Sequence, residues 1–194
     1  MWYFGCLLVL ILSLWCCDIL GRALARLAVA RMQPTVRAAY APALGLAVFT
    51  MVATVVGWFG KGFLAKICLP ASAILVFAAL ATLREPAKYL RRAAFLAGVA
   101  IVTSTPLLFP VLRFEAFSPY NDAFVYLVHA QWLQTHRFGS APPASLDKPA
   151  ISLITQSQAN AGPMGSSFLL AWLQSTFHLP WSYLAYPAVV ALGV

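Results

Sequence analysis

Long apolar runs, almost free of charge, occupy most of the first 111 residues and restrict the fold more than any other feature. Each run is long enough for a helix of about 28 Å or more, close to the thickness of the hydrocarbon core of a bilayer, about 30 Å. The four runs are residues 2–20, 40–60, 62–83 and 93–111. The sequence therefore predicts an all-α protein whose residues 1–111 form a four-span membrane bundle.

The overall composition supports a membrane protein and excludes several other classes. Apolar residues make up 62% of the 194 positions and charged residues only 9%, whereas a soluble domain has about 45–50% and about 25%. This composition excludes a cytosolic globular enzyme, a disordered tail and a small disulfide-rich scaffold. The net charge of +8 does not predict nucleic-acid binding, because the cations form no stripe with interleaved aromatic residues.

The basic residues predict how the chain is oriented in the membrane. Eight of the thirteen lie in the connections after the first and third runs, namely Arg22, Arg26, Arg31, Arg37, Arg84, Lys88, Arg91 and Arg92. The positive-inside rule places these connections in the cytoplasm and the N-terminus outside. Residues 21–32 are either an interfacial helix that binds anionic headgroups or a simple topology signal, and we favour the topology signal. Asp18 and Arg22 are four residues apart, so we expect them to pair on one helix face.

The cysteines and the first cluster of glycines have plain structural interpretations. The four cysteines lack the spacing of a zinc or haem site, and we favour unpaired apolar packing, with a Cys6–Cys68 bridge near the outer face as the alternative. Gly57, Gly60 and Gly62 lack the Lys-Ser/Thr pair of a phosphate-binding loop. We expect these glycines to form a tight turn between the second and third spans.

Residues 112–163 are too polar to span the membrane, and the predicted orientation makes them an extracytoplasmic loop. A helix is predicted from Ser118-Pro119 to about His136, followed by a stop at Gly139. One stripe of this helix carries Asp122, Tyr126, His129, Leu133 and His136. The stripe is either the wet side of an amphipathic helix on the membrane surface or part of a functional site. Residues seven apart on a helix lie about 10 Å apart, so no two polar members at that spacing can share a metal ion without other ligands.

Two more apolar segments, residues 164–179 and 181–194, complete a predicted total of about six spans. The last segment would form only about 21 Å of helix, and it reaches the final residue of the sequence. We therefore expect the sequence to be the N-terminal portion of a longer protein. The predicted organisation is a four-span bundle in residues 1–111, an outer loop in residues 112–163 and two membrane segments in residues 164–194.

Residues 115–194 resemble GT-C glycosyltransferases, multi-span membrane enzymes that take sugars from polyprenyl-phosphate carriers. The resemblance rests on the pattern Asp122-x3-Tyr126-x3-Ala130-x-Trp132-Leu133, followed by Gly139. It also rests on Gly162-Pro163-Met164-Gly165 before the next apolar segment. It implies that Asp122 activates the acceptor or holds a divalent cation, Mg²⁺ or Mn²⁺, beside the lipid phosphate.

The same resemblance implies the remaining site residues and the partners. Tyr126, His129 and Lys148 are the candidate substrate-binding residues, and the expected partners are membrane lipid and a polyprenyl-phosphate-linked sugar. The expected location is a bacterial plasma membrane, with sugar transfer on its outer face. Two alternatives stay open, namely a transporter or flippase-like protein and a non-catalytic membrane subunit whose outer loop binds a partner.

Overall fold

The computed structural model describes residues 2–28, 33–81, 86–114, 121–140, 152, 154, 155, 158 and 165–178. Across these residues α-helix is the only regular secondary structure, which confirms the all-α class. The helices are α1 (Trp2–Ala28), α2 (Pro34–Phe59), α3 (Ala65–Ala81), α4 (Pro86–Phe114), α5 (Asn121–Leu133) and α6 (Gly165–Phe177).

Helix α1 is longer than the first apolar run. It continues past residue 20 and ends at Ala28, so the described part of residues 21–32 belongs to α1 and not to a separate interfacial helix. This extension has a local cause, since Ala, Leu and Arg dominate residues 22–28 and all three are strong helix formers. The topology-signal interpretation of this segment is compatible with a continuous helix.

Two helices are long and apolar enough to cross a membrane, judged by length and composition. They cover Phe4–Leu27 and Pro34–Phe59. The apolar part of α3, Lys66–Ala81, is shorter. The total of about six spans and the predicted boundaries of the outer loop, after residue 111 and after residue 163, remain predictions.

The chain forms two compact units. The first unit comprises Met1–Phe49, Ala71–Phe117 and Ser182–Val194, and the second comprises Thr50–Pro70 and Ser118–Trp181. Helices α2 and α3 each contribute residues to both units.

In the first unit α1 packs against α4. Leu10 and Ala100 form one buried contact between these helices. The Trp15 indole N–H donates a hydrogen bond to the Ala93 carbonyl at 2.9 Å. A second buried cluster joins Ile19 of α1 to Ala79 of α3. The core of this unit therefore consists of small and aliphatic side chains at helix crossings.

Helices α1 and α2 approach each other so closely that their backbones touch. A Cβ atom added at Gly45 would lie 2.8 Å from the Cα of Cys17, and one added at Gly21 would lie 2.8 Å from the backbone nitrogen of Gly45. Carbon atoms in normal contact are about 3.5–4.0 Å apart. Only glycine fits at these two crossing positions, as is common where membrane helices meet through small residues.

The second unit is centred on the contact between α5 and α6. Phe63, which follows α2, packs against Phe168 and Trp172 of α6 with ring centroids 6.0 and 6.1 Å apart. The Phe63 N–H donates to the Leu133 carbonyl at 2.9 Å, and the Ser175 hydroxyl donates to the Phe63 carbonyl. Phe63 thus links the α2–α3 connection to both helices.

The glycine cluster is only partly a turn. Gly60 and Gly62 lie between α2 and α3, and Gly62 has a φ of +116° with its Cα close to the end of α5. Gly57 instead lies inside α2, where an added Cβ would overlap the ring of Phe168. The prediction that Gly57 belongs to the turn is therefore wrong, because the position serves a close helix contact.

All four cysteines are free thiols, with Cys6 and Cys68 buried. The structure therefore contains no Cys6–Cys68 bridge. Burial of these thiols agrees with the apolar packing interpretation, since an unpaired cysteine behaves as a small hydrophobic residue.

Candidate functional site

Helix α5 carries three of the four residues that the sequence singles out. It begins at Asn121 and ends at Leu133, three residues before the predicted end at His136. A tight turn follows, in which the Ser140 N–H donates to the Arg137 carbonyl at 3.1 Å. Gly139 has a φ of +79° and lies in this turn, six residues beyond Leu133, so the helix stops before the glycine that was predicted to end it. The predicted cap at Ser118-Pro119 lies outside the described residues.

The middle of the α5 stripe, His129 and Leu133, is buried, whereas His136, beyond the end of the helix, is exposed. Leu127, His129, Ala130 and Leu133 are all buried, and Gln131 is the one exposed side chain among residues 125–133. The prediction of an amphipathic helix with its polar side in water is therefore wrong for this stretch. The physical reason lies in the composition of α5, because apolar residues occur all around the helix and such a helix is buried by its neighbours.

His129 is the central polar residue of this helix. Its side chain is 1% exposed, and its Nε2 lies 3.3 Å from the amide nitrogen Nε2 of Gln158. With the amide in this orientation its nitrogen donates and His129 Nε2 accepts. Burial lowers the pKa of His129 to about 4, since desolvation penalises the charged imidazolium. At neutral pH the residue is therefore an uncharged imidazole.

One aromatic ring, that of Phe138, lies near the His129 imidazole and leads to a wider aromatic cluster. The Phe138 ring lies 6.2 Å from the imidazole, measured between centroids. Phe138 in turn contacts Trp58 at 4.6 Å and Phe168 at 5.5 Å. These apolar contacts give the imidazole a low-dielectric environment, in which a hydrogen bond is stronger than in water.

Buried polar atoms without a hydrogen-bond partner are concentrated in the second unit. In the described part of that unit these atoms are His129 Nδ1, Trp132 Nε1, Gln134 Nε2, Gln158 Oε1, Ser167 Oγ and Gln174 Oε1. A buried donor or acceptor left unpaired costs about 1–3 kcal/mol. The second unit therefore contains hydrogen-bonding capacity that its described residues do not use, and Nδ1 of His129 is part of it.

The other predicted site residues are placed only in part. Asp122 lies in the first turn of α5, but its side chain is outside the description, and Lys148 lies outside the described residues altogether. Tyr126 is half-buried and sits one turn before His129. The structure thus brings Tyr126 and His129 onto one helix segment, while the roles of Asp122 and Lys148 stay predictions.

In the described parts of the chain, no three His, Cys, Asp or Glu side chains come together as a possible metal site. Mg²⁺ and Mn²⁺ need several oxygen ligands, and the described residues near α5 do not supply them. The divalent-cation prediction therefore depends on Asp122 and on residues outside the description.

A second polar cluster lies in the first unit and was only half predicted. The expected pair of Asp18 and Arg22 is confirmed, with Arg22 Nε 3.0 Å from Asp18 Oδ2. Arg92 of α4 joins the same carboxylate, its NH2 lying 2.8 Å from Oδ1. No local pattern points to Arg92, because its partner is 74 residues away along the chain.

The chain matches no protein-family model, no curated protein and no solved structure. Its function therefore has to be argued from the geometry and chemistry of its own residues.

Proposed function

We propose that this chain is an integral membrane protein and acts as a GT-C-like glycosyltransferase. In this proposal it moves a sugar from a polyprenyl-phosphate carrier to an acceptor on the outer face of a bacterial plasma membrane. The observation that carries the proposal is α5, a helix with an aspartate in its first turn and a buried neutral histidine two turns later.

The membrane part of the proposal is supported by large apolar side chains on the surfaces of the helices. The exposed ones include Phe4, Met51, Phe59, Ile74, Phe77, Phe95 and Val102. Exposed apolar area on this scale is unfavourable in water and marks a surface that another apolar phase covers. Lipid chains satisfy this requirement along the two long apolar helices.

The chemistry assigned to α5 is acceptor activation. The Asp122 carboxylate takes the proton of an acceptor hydroxyl as that oxygen attacks the anomeric carbon of the sugar. The bond between the anomeric carbon and the carrier phosphate breaks at the same time, and the phosphate leaves with the electron pair. Lys148 offsets the charge of this phosphate, and His129 and Tyr126 hydrogen-bond to the substrate. A divalent cation at Asp122 belongs to the same proposal.

The experiment compares Asp122→Asn with Asp147→Asn, because both changes remove one negative charge from the same polar segment. Membranes that contain each variant are incubated with radiolabelled polyprenyl-phosphate hexoses, and label in the acceptor fraction is counted. We expect Asp122→Asn to lower transfer by about 10²-fold or more, the usual contribution of general acid–base catalysis. Asp147→Asn should retain wild-type transfer.

Membrane integration is measured separately by resistance to an alkaline carbonate wash. Wild-type transfer by Asp122→Asn would refute the catalytic role of Asp122. A wild-type chain that resists the wash but transfers no hexose from any donor would favour the non-catalytic membrane subunit. Release by the wash would refute the membrane proposal itself.

A further inference from the structure

The arginine cluster of the first unit holds more positive charge than its acid neutralises. The fully buried Asp18 accepts from Arg22 Nε at 3.0 Å and from Arg92 NH2 at 2.8 Å. Arg92 Nε lies 3.2 Å from both carboxylate oxygens. One negative charge therefore binds two guanidinium groups, each on a side chain only 23% exposed.

Helix α2 adds a third arginine to this region. Arg92 NH2 also donates to the carbonyl of Ala38, and Arg37 is the preceding residue. The Nε of Arg37 is buried and has no hydrogen-bond partner. Within the described residues of the first unit, Asp18 is the one acidic side chain. Arg22 and Arg92 thus share one carboxylate, which leaves one positive charge uncompensated among the described residues, and Arg37 adds a second positive charge on α2.

The guanidinium of Arg22 is held in place before any ligand arrives. Its central carbon lies 5.8 Å from the centroid of the Tyr89 ring, and the Tyr89 hydroxyl donates to the Trp15 carbonyl at 3.4 Å. Asp18 and the aromatic ring together fix the Arg22 side chain, which lowers the entropic cost of binding a further anion.

We propose that Arg22, Arg37 and Arg92 form a binding site for the phosphate group of an anionic ligand. Guanidinium groups match the geometry of phosphate oxygens, and half-buried cations interact with an anion more strongly than exposed ones. Arg37 Nε supplies the unused donor, while Arg22 and Arg92 supply fixed positive charge. A lipid headgroup and a soluble phosphate carry this same chemistry, and the test below separates them.

The test uses the full chain purified in dodecyl maltoside, a neutral detergent. Three probes are titrated separately, namely phosphatidylglycerol in mixed micelles, phosphatidylcholine in mixed micelles and inorganic phosphate. Binding is read as a saturable rise in the unfolding temperature. We expect phosphatidylglycerol or inorganic phosphate to bind, and phosphatidylcholine, which has no net charge, to bind at least about tenfold more weakly.

The decisive comparison is between Arg37→Gln and Arg91→Gln. Arg91 neighbours Arg92 on α4 and its side chain is exposed, so both variants lose one charge from the same region. We expect Arg37→Gln to weaken binding by about tenfold, the value of one charge-assisted hydrogen bond. Arg91→Gln should bind within about twofold of wild type. If Arg37→Gln does not fold, Arg37→Lys replaces it and should also weaken binding, because lysine lacks the Nε donor.

Saturation by phosphatidylglycerol alone assigns the site to a lipid, and saturation by inorganic phosphate assigns it to a soluble ligand. Equal losses in the Arg37 and Arg91 variants, or no saturable binding of either anionic probe, would overturn the proposal. These readouts do not involve sugar transfer, so the inference and the proposed enzymatic function stand or fall separately.

Discussion

The contact between α1 and α2 gives the sharpest prediction about stability. The change is Gly45→Ala, which adds one methyl group where Cys17 of α1 lies against α2. The new Cβ would be 2.8 Å from the Cα of Cys17, whereas carbon atoms in contact need about 3.5–4.0 Å. The nearest obstacle is the carbonyl oxygen of Cys17, a backbone atom that cannot rotate away, so the helices would have to separate by more than about 1 Å.

The magnitude follows from two opposing terms. Overpacking of a close contact costs about 1–3 kcal/mol, and alanine in place of glycine inside a helix returns roughly 0.5–1 kcal/mol. Because the obstacle at Gly45 is rigid backbone, the upper part of the overpacking range applies, about 2–3 kcal/mol, and the net loss for Gly45→Ala is about 1–2.5 kcal/mol. For a chain of this size, 1 kcal/mol corresponds to about 2–4 °C in the unfolding temperature, so we expect a decrease of about 2–10 °C.

Gly98→Ala is the matched control. Gly98 lies inside α4, and a Cβ added there meets no described atom within 4 Å. Only the helix-propensity term applies, so this variant should melt about 1–4 °C higher than wild type. Both variants are melted in the same detergent and followed by far-ultraviolet circular dichroism. A Gly45→Ala protein as stable as Gly98→Ala would refute the close approach of α1 and α2.

Two other perturbations test the buried polar groups. Asp18→Asn removes the counter-charge of Arg22 and Arg92. We expect the free energy of unfolding to fall by about 2–3 kcal/mol and the unfolding temperature by about 4–12 °C. This energy is below the usual cost of breaking a fully buried ion pair, because both arginines keep some solvent contact. The exposed Arg91→Gln should melt like wild type, and equal melting of both variants would refute the ion-pair argument. For His129, whose folded pKa of about 4 lies below its unfolded value of about 6.5, the unfolded chain binds more protons between these values. The contribution of His129 to the free energy of unfolding is thus fully present above about pH 6.5 and falls by about 3 kcal/mol as the pH drops to 4. The unfolding temperature of His129→Leu should lack this decline, and a pH profile identical to that of wild type would contradict the argument from burial.

Sequence periodicity and composition were sufficient to predict the helices but not their exact ends. The apolar runs predicted α1 to α4, whereas α5 ends at Leu133, before the predicted stop at Gly139. The end of α1 is harder to predict, because the composition changes from apolar to basic after residue 20 while the helix continues to Ala28. Helix formation depends on backbone propensity, and Arg22 and Arg26 favour helix as much as the residues before them.

Which helix faces meet is information that one sequence does not contain. Gly57 and Gly60 look alike in the sequence, yet one contacts the Phe168 ring and the other follows the end of α2. The stripe through His129 looked polar because histidine is polar, but its neighbours Leu127 and Leu133 decide its burial. Packing partners so far along the chain leave no local pattern to detect.

Arg91 and Arg92 show why a basic residue cannot be assigned a role from its position along the chain alone. Both belong to the same connection, and the positive-inside rule treats them as equal contributions to orientation. Successive residues on a helix point about 100° apart, so one turns toward α1 and binds the buried Asp18 while its neighbour stays exposed. Orientation is determined by the summed charge of the connection, whereas a binding site depends on which single guanidinium faces the interior. The same group of cations can therefore contribute to orientation and still include two, Arg22 and Arg92, that bind a buried carboxylate.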